Sequence, residues 1–272
     1  MNRLFVVKKP VFISSNFYLN RIKRKYKNKK AGFSGTLDPF ACGCLVVAFG
    51  QYSKLFRFLK KTPKAYRATI WLGALSDSLD IENVHTIDEI KKLDQKIIEQ
   101  KLQSLLGKLE YLPPKFSAKK IDGKRAYDLA RDNIEFDMKK VVSEVYSVKF
   151  INYNHPFISF DMEVSEGSYI RSIAQILLDR LDTKGTLSYL ERLYEGDFVY
   201  DEEKALNPLE YLNVATNRYL GTKEWFDLGK KLDIKYFENK NDGEYLIIFD
   251  TFFSIIEIKN NEAKYLLNKV LL

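Results

Sequence analysis

Asp38 is the residue around which chemistry in this sequence can be organised. It sits in Ala31-Gly32-Phe33-Ser34-Gly35-Thr36-Leu37-Asp38-Pro39-Phe40-Ala41-Cys42-Gly43-Cys44-Leu45, with Gly32 and Gly35 before it and Gly43 after it. Pro39 fixes its own φ and pushes Asp38 toward an extended conformation, and the glycines allow close approaches that side chains forbid. A carboxylate on such a stiff turn can be aimed, as a nucleophile or acid–base group must be. The same pattern fits an Asx-type turn in which Asp38 bonds nearby backbone N–H groups.

Other chemistries have little material. The two cysteines, Cys42 and Cys44, have no second pair, and the two histidines, His85 and His155, lie in polar, loop-like contexts. A zinc site needs about four ligands, and a Ser–His–Asp or Cys–His arrangement lacks its parts. No metal and no cofactor are expected. No apolar stretch reaches the ~20 residues of a membrane helix, and the apolar core after Met1 is too short for a signal peptide. A cytoplasmic monomer is expected. The net charge of +8 favours a polyanionic partner. Seven of the cations (Arg21, Lys23, Arg24, Lys25, Lys27, Lys29 and Lys30) crowd the approach to Asp38.

The elements that must position Asp38 follow from periodicity. Leu4–Val7 reads as a strand. A helix capped at Ser14, Ser15 or Asn16 should run to about Tyr26, with Leu19, Ile22 and Tyr26 on one side. Leu45–Phe49 reads as a buried strand, and Lys54–Leu59 as a short helix. Lys64–Gly73 alternates as a strand with Tyr66, Ala68, Ile70 and Leu72 on one face. Thr86 and Glu89 suggest a capping box opening a helix that extends to Gly107, with a break near Asp94. Pro113-Pro114 enforces an extended chain before a short helix at Gly123–Arg131, where basic side chains mix with Phe116 and Tyr127 as in RNA-binding segments. Strands are expected at Val141–Phe150 and Phe157–Val164. A helix carrying Tyr169, Ile170 and Ile173 should follow Gly167. Beyond about Lys223 the pattern becomes β-rich, with Asn260-Asn261 as a turn.

Gly32-Phe33-Ser34-Gly35-Thr36-Leu37-Asp38-Pro39, with Ala41 and Gly43, resembles the catalytic-aspartate motif of the TruB family of tRNA pseudouridine synthases. Further segments resemble the family in its order: Lys9-Pro10 through Ser14-Ser15, the Lys64-Ala65-Tyr66 strand, Ser76-Asp77-Ser78-Leu79-Asp80, Gly167-Ser168-Tyr169-Ile170-Arg171, and Gly185–Phe198. The resemblance implies an α/β (α+β) pseudouridine synthase fold with a mixed, mainly antiparallel central sheet flanked by helices. It implies a catalytic domain over 1–222 with an RNA-binding insertion at about 111–142, and a short PUA-like module over 223–272. The implied reaction converts uridine to pseudouridine in the T-loop of tRNA, at position 55 in standard tRNA numbering, after base flipping and with no cofactor. The implied partner is the T-arm of tRNA.

Carried onto this sequence, the family pattern makes Asp38, Tyr66 and Arg171 catalytic, with Arg171 pairing with the aspartate and favouring its charged form. It places Lys9, Phe33, Lys64, Asp80, Lys119, Arg131, Tyr169 and Leu193 at the substrate. Leu193 is expected against the target base, and Asp80 reads equally as a turn-stabilising carboxylate. The chain departs from the family where Phe33 replaces the usual histidine, Ser165-Glu166 replaces Cys-Lys, Tyr111 replaces glutamine, and Phe12 or Ile13 replaces glycine. Phenylalanine at 33 can stack on a base but cannot hydrogen-bond to it.

Overall fold

The structure, a computed structural model, describes residues 1–132 and 134–272. Its central element is a nine-stranded sheet. Strand β1 (Arg3–Lys9) pairs antiparallel with β3 (Cys42–Phe49), which also receives β2 (Ala31–Ser34). Beyond them come β4 (Lys64–Leu72), β5 (Gly107–Tyr111), β6 (Val141–Asn154), β7 (Phe157–Val164) and β8 (Gly185–Glu195), in the spatial order β1-β3-β8-β4-β7-β6-β5. The pairings along this path are antiparallel except at β3–β8, where Glu191 faces Cys42 and Arg192 faces Gly43 in a short parallel contact. The fold is thus mixed α/β with a mainly antiparallel sheet, as the family resemblance implies.

β1 and β3 are buried on both faces, which explains their unbroken apolar runs. Phe5, Val7, Leu45, Val47 and Phe49 pack against Leu19 and Ile22 of helix α1 (Ser15–Lys25). Leu4, Val6, Cys44, Val46 and Ala48 face the other way and join Leu246, Phe253, Ile255 and Val270 of a second sheet. That four-stranded C-terminal sheet contains β9 (Ala215–Thr216), β10 (Gly243–Ile248), β11 (Phe252–Lys259) and β12 (Glu262–Leu271). Its first strand therefore lies upstream of residue 223. Asn260 and Asn261 both take positive φ, 52° and 60°, as a tight right-twisted hairpin requires. On the far half of the central sheet, helices α2 (Gln95–Gln103) and α4 (Ile170–Arg180), separated in sequence by α3 (Ala126–Arg131), build the largest core with Ile70, Phe160 and Met162. No helix among the described residues is long and apolar enough to cross a membrane.

Two local expectations are corrected. Thr86 and Glu89 cap no helix, because Val84–Ile87 pairs as a strand with Ala74–Ser76; α2 starts later, capped by Asp94 accepting from the Lys96 N–H at 2.7 Å. Residues Gly50–Lys54 and Phe56–Phe58 form two 3-10 turns in place of one short helix.

The parallel β3–β8 junction depends on Gly43. Its φ is 101°, and a Cβ there would lie 2.2 Å from the Arg192 carbonyl oxygen. Backbone cannot yield as a flexible side chain can, so Gly43→Ala is expected to destabilise the fold by more than about 2 kcal/mol. Urea unfolding of the purified variant measures this directly.

Candidate active site

Asp38 lies between β2 and β3, in the loop that enters the sheet where β3 meets β8. Ser15 fastens this loop from below: its Oγ donates to the Leu37 carbonyl at 2.8 Å and accepts the Leu37 N–H at 2.9 Å. The Asp38 side chain, 33% exposed, reaches an open cavity and places Oδ2 2.9 Å from Nη2 of Arg171, in the first turn of α4. The buried Arg171 guanidinium also meets the Asp80 carboxylate at 3.1 Å and donates to the carbonyls of Ser78 at 2.7 Å and Phe116 at 2.8 Å. Each terminal nitrogen thus meets two partners, which fixes both the guanidinium plane and the carboxylate in front of it.

Burial pushes the Asp38 pKa above the ordinary carboxylate value. Arg171 opposes the shift, and the nearby Asp80 charge adds to it. The expectation that Arg171 favours the charged form holds for that one interaction, but desolvation outweighs it. Burial also raises the Tyr66 phenol, so it stays protonated and can donate a hydrogen bond or a proton.

The cavity, about 380 Å³, brings Asp38, Tyr66, Arg171, Tyr169, Lys64 and Lys119 together. Its volume falls in the range of small-ligand sites. Tyr169 sits at the start of α4, where its N–H donates to the Tyr111 hydroxyl at 3.0 Å, so the tyrosine in place of glutamine at 111 helps orient this wall. The segment after β5 closes the opposite side with Ser117, Ala118, Lys119 and Arg125.

The other expected contacts lie elsewhere. Leu193 does not line the cavity; Leu190 does, together with Arg192. Residues 190 and 192 share a face of β8 by strand alternation, and Leu193 falls at the register shift between Arg192 and Tyr194. Lys9 is fully buried, and its ammonium donates to the carbonyls of Pro10 at 2.9 Å, Ile13 at 2.6 Å and Pro39 at 3.2 Å. With these donors committed to backbone it is not a phosphate contact. Asp80 is buried as the second partner of Arg171 and caps a 3-10 turn through the Glu82 N–H at 3.0 Å. Phe33 is half-buried against the core beneath α1. Arg131 is exposed outside the cavity, its guanidinium 5.6 Å from the Tyr127 ring.

A buried ionic network under the loop was not expected from the sequence, although Lys64 and Arg192 lie in segments that resemble the family. Fully buried Arg192 donates to the carbonyls of Cys44 at 2.8 Å and Gly35 at 2.9 Å and faces the Tyr66 phenol. Glu195 lies 3.3 Å from Arg192 and 3.1 Å from Lys64. Gly35, at φ 65°, leaves room for it: a Cβ there would come within 3.1 Å of Lys64 Nζ and 3.2 Å of Arg192 and Glu195. Glu166, where the family has lysine, pairs with Lys61 at 3.0 Å.

The TruB family pseudouridylate synthase N-terminal domain matches residues 23–170. Similar proteins include tRNA pseudouridine synthase B of Sulfurovum sp. strain NBC37-1, 56% identical over 270 residues, covering 99% of this chain and 98% of that one. The protein of that name from Campylobacter jejuni strain RM1221 is 50% identical over 270 residues, covering 99% of both chains. Among solved structures, a chain of a Cbf5–Nop10–Gar1 complex aligns with a TM-score of 0.65 at 18% identity, covering 99% of this chain and 84% of that one. A chain of an archaeal box H/ACA sRNP Nop10–Cbf5 complex aligns with a TM-score of 0.66 at 17% identity, covering 99% and 86%. These structures share the fold. The domain match and the close full-chain relatives place this protein in the TruB family of pseudouridine synthases.

Proposed function

We propose that this protein converts uridine to pseudouridine in tRNA, at the T-loop uridine 55, with Asp38 as the nucleophile. The observation that carries the reading is the Asp38–Arg171 ion pair, 2.9 Å long, at a cavity walled by Tyr66 and Tyr169. The relatives named tRNA pseudouridine synthase B supply the substrate class.

The reaction breaks the bond between ribose C1′ and uracil N1, turns the base, and joins C1′ to C5. C5 loses its proton and N1 gains one, so no oxidant or reductant is consumed. Asp38 supplies the carboxylate for the covalent step. Arg171 orients it and partly offsets the cost of its charge. Tyr66, neutral and held by Arg192, stacks on the base and takes part in proton transfer. The uridine must leave its stack to reach Asp38, at a cost of a few kcal/mol that cavity stacking and backbone contacts offset.

Tritium release from tRNA carrying C5-labelled uridine tests the reading, because forming the new bond expels that hydrogen. Release is expected from unmodified tRNA and not from tRNA lacking the T-loop uridine. Tight tRNA binding without release would overturn the enzymatic reading in favour of an RNA-binding protein on the same scaffold.

A further inference from the structure

Between β1 and α1 the chain turns over Pro10–Ile13, and this turn is bolted to the aspartate loop. The Ile13 N–H donates to the Pro39 carbonyl at 3.2 Å, and the Lys9 ammonium reaches the same oxygen. Ser15 holds Leu37 through two hydrogen bonds. The two sequence neighbours of Asp38 are therefore tied to this turn and to the first residue of α1. At its apex stands Phe12, 65% exposed and at φ 56°. Bulky residues avoid the left-handed region, which glycine and asparagine enter readily. Phe12 also belongs to none of the hydrophobic clusters among the described residues. A strained aromatic ring held out in water contributes nothing to the fold, and strain of this kind concentrates at functional sites.

The surroundings indicate what the ring receives. Phe17, 50% exposed, lies in the first turn of α1 with the Arg21 guanidinium 5.1 Å from its ring. The same helix continues into the cationic run from Lys23 to Lys30. Exposed aromatics interleaved with cations hold unpaired nucleobases by stacking while the phosphates are neutralised. Phe12 does not line the Asp38 cavity, so the base it meets is a different one. We propose that Phe12 is a stacking platform for a second, unpaired base of the bound RNA, held at a fixed offset from Asp38 by the Lys9–Pro39 clamp. This inference rests on the tRNA reading above.

The test uses the full chain in the Asp38→Asn background, so that binding is measured without turnover. Phe12→Asn keeps the left-handed turn and removes the ring. Its melting temperature is expected to be no lower than that of the parent. Its Kd for an unmodified tRNA transcript is expected to rise about 5- to 150-fold, the range for losing one stacked base. Phe12→Trp should keep parental affinity, and its indole emission should be quenched when tRNA is added. Parental affinity in Phe12→Asn, or a loss in Phe12→Trp as large as in Phe12→Asn, would overturn the proposal. These outcomes are independent of tritium release by the wild type, whose absence would instead strike the reaction assigned above.

Discussion

Asp38→Asn is expected to abolish tritium release while making the folded protein more stable at neutral pH. The activity loss should be on the order of 10⁶-fold, the scale for deleting a covalent nucleophile. The stability gain follows from the raised pKa of Asp38. Between the ordinary carboxylate value and the raised one, the folded state binds a proton more tightly than the unfolded state. Stability therefore falls as pH rises through that window, and the carboxylate, once ionised, is a net cost to the fold. Asparagine keeps the shape and removes that cost, and Arg171 is not orphaned because Asp80 stays 3.1 Å away. The advantage of the variant should shrink on acidification, as the wild-type carboxyl takes up its proton. Urea unfolding at several pH values reads the sign, and a variant less stable than wild type at pH 7 would show the ionised Asp38 to be favourable in the fold. In the wild type the acid limb of kcat/KM should lie above the ordinary carboxylate range, because turnover requires the ionised form.

What could be read from the sequence, and what could not, divides along physical lines. The Asp38 loop, the Tyr66 strand and the helix after Gly167 are local patterns; grouping Tyr66 and Arg171 with Asp38 came from the family resemblance, and the structure brings these three side chains to one cavity. Properties that depend on where distant backbone converges were not legible. The family pattern places Lys9 at the substrate, yet the carbonyls of Pro10, Ile13 and Pro39 surround its ammonium once β1 and the aspartate loop are folded together. Arg192 and Glu195 fall in the Gly185–Phe198 segment that resembles the family, but their pairing was not legible, because the partners come from Gly35, Cys44 and Lys64. Parity along β8 offered one available signal: if one member of the pair 190 and 192 faces the cavity, so does the other.

The capping-box expectation at Thr86 shows the same limit from the other side. Thr86 and Glu89 have the spacing of a helix start, but a short hairpin with Ala74–Ser76 supplies backbone partners first. Local preference was overridden by pairing that the local sequence does not reveal. A departure from the family's glycine at Phe12 or Ile13 was visible in the sequence, whereas the left-handed backbone and exposure of Phe12 emerged only from the folded turn.

Arg171→Lys is expected to be as damaging as deletion of the side chain, although the charge is kept. The guanidinium meets Asp38, Asp80, Ser78 and Phe116 at once, from a side chain that is almost wholly buried. An ammonium has three donors around one point and cannot span these partners. The variant should lose about 3–5 kcal/mol of stability, because a buried carboxylate at Asp80 is left poorly compensated. Turnover should fall by roughly 10²–10³-fold or more, from a nucleophile that is no longer aimed. Since unfolding alone could lower activity, a second variant separates the two effects. Arg171→Leu combined with Asp80→Asn removes the unpaired charge with its partner and should regain part of the stability. It should not regain tritium release, because Asp38 still lacks the group that orients it. Recovery of release along with stability would mean that Arg171 serves the fold alone and that Asp38 needs no aiming.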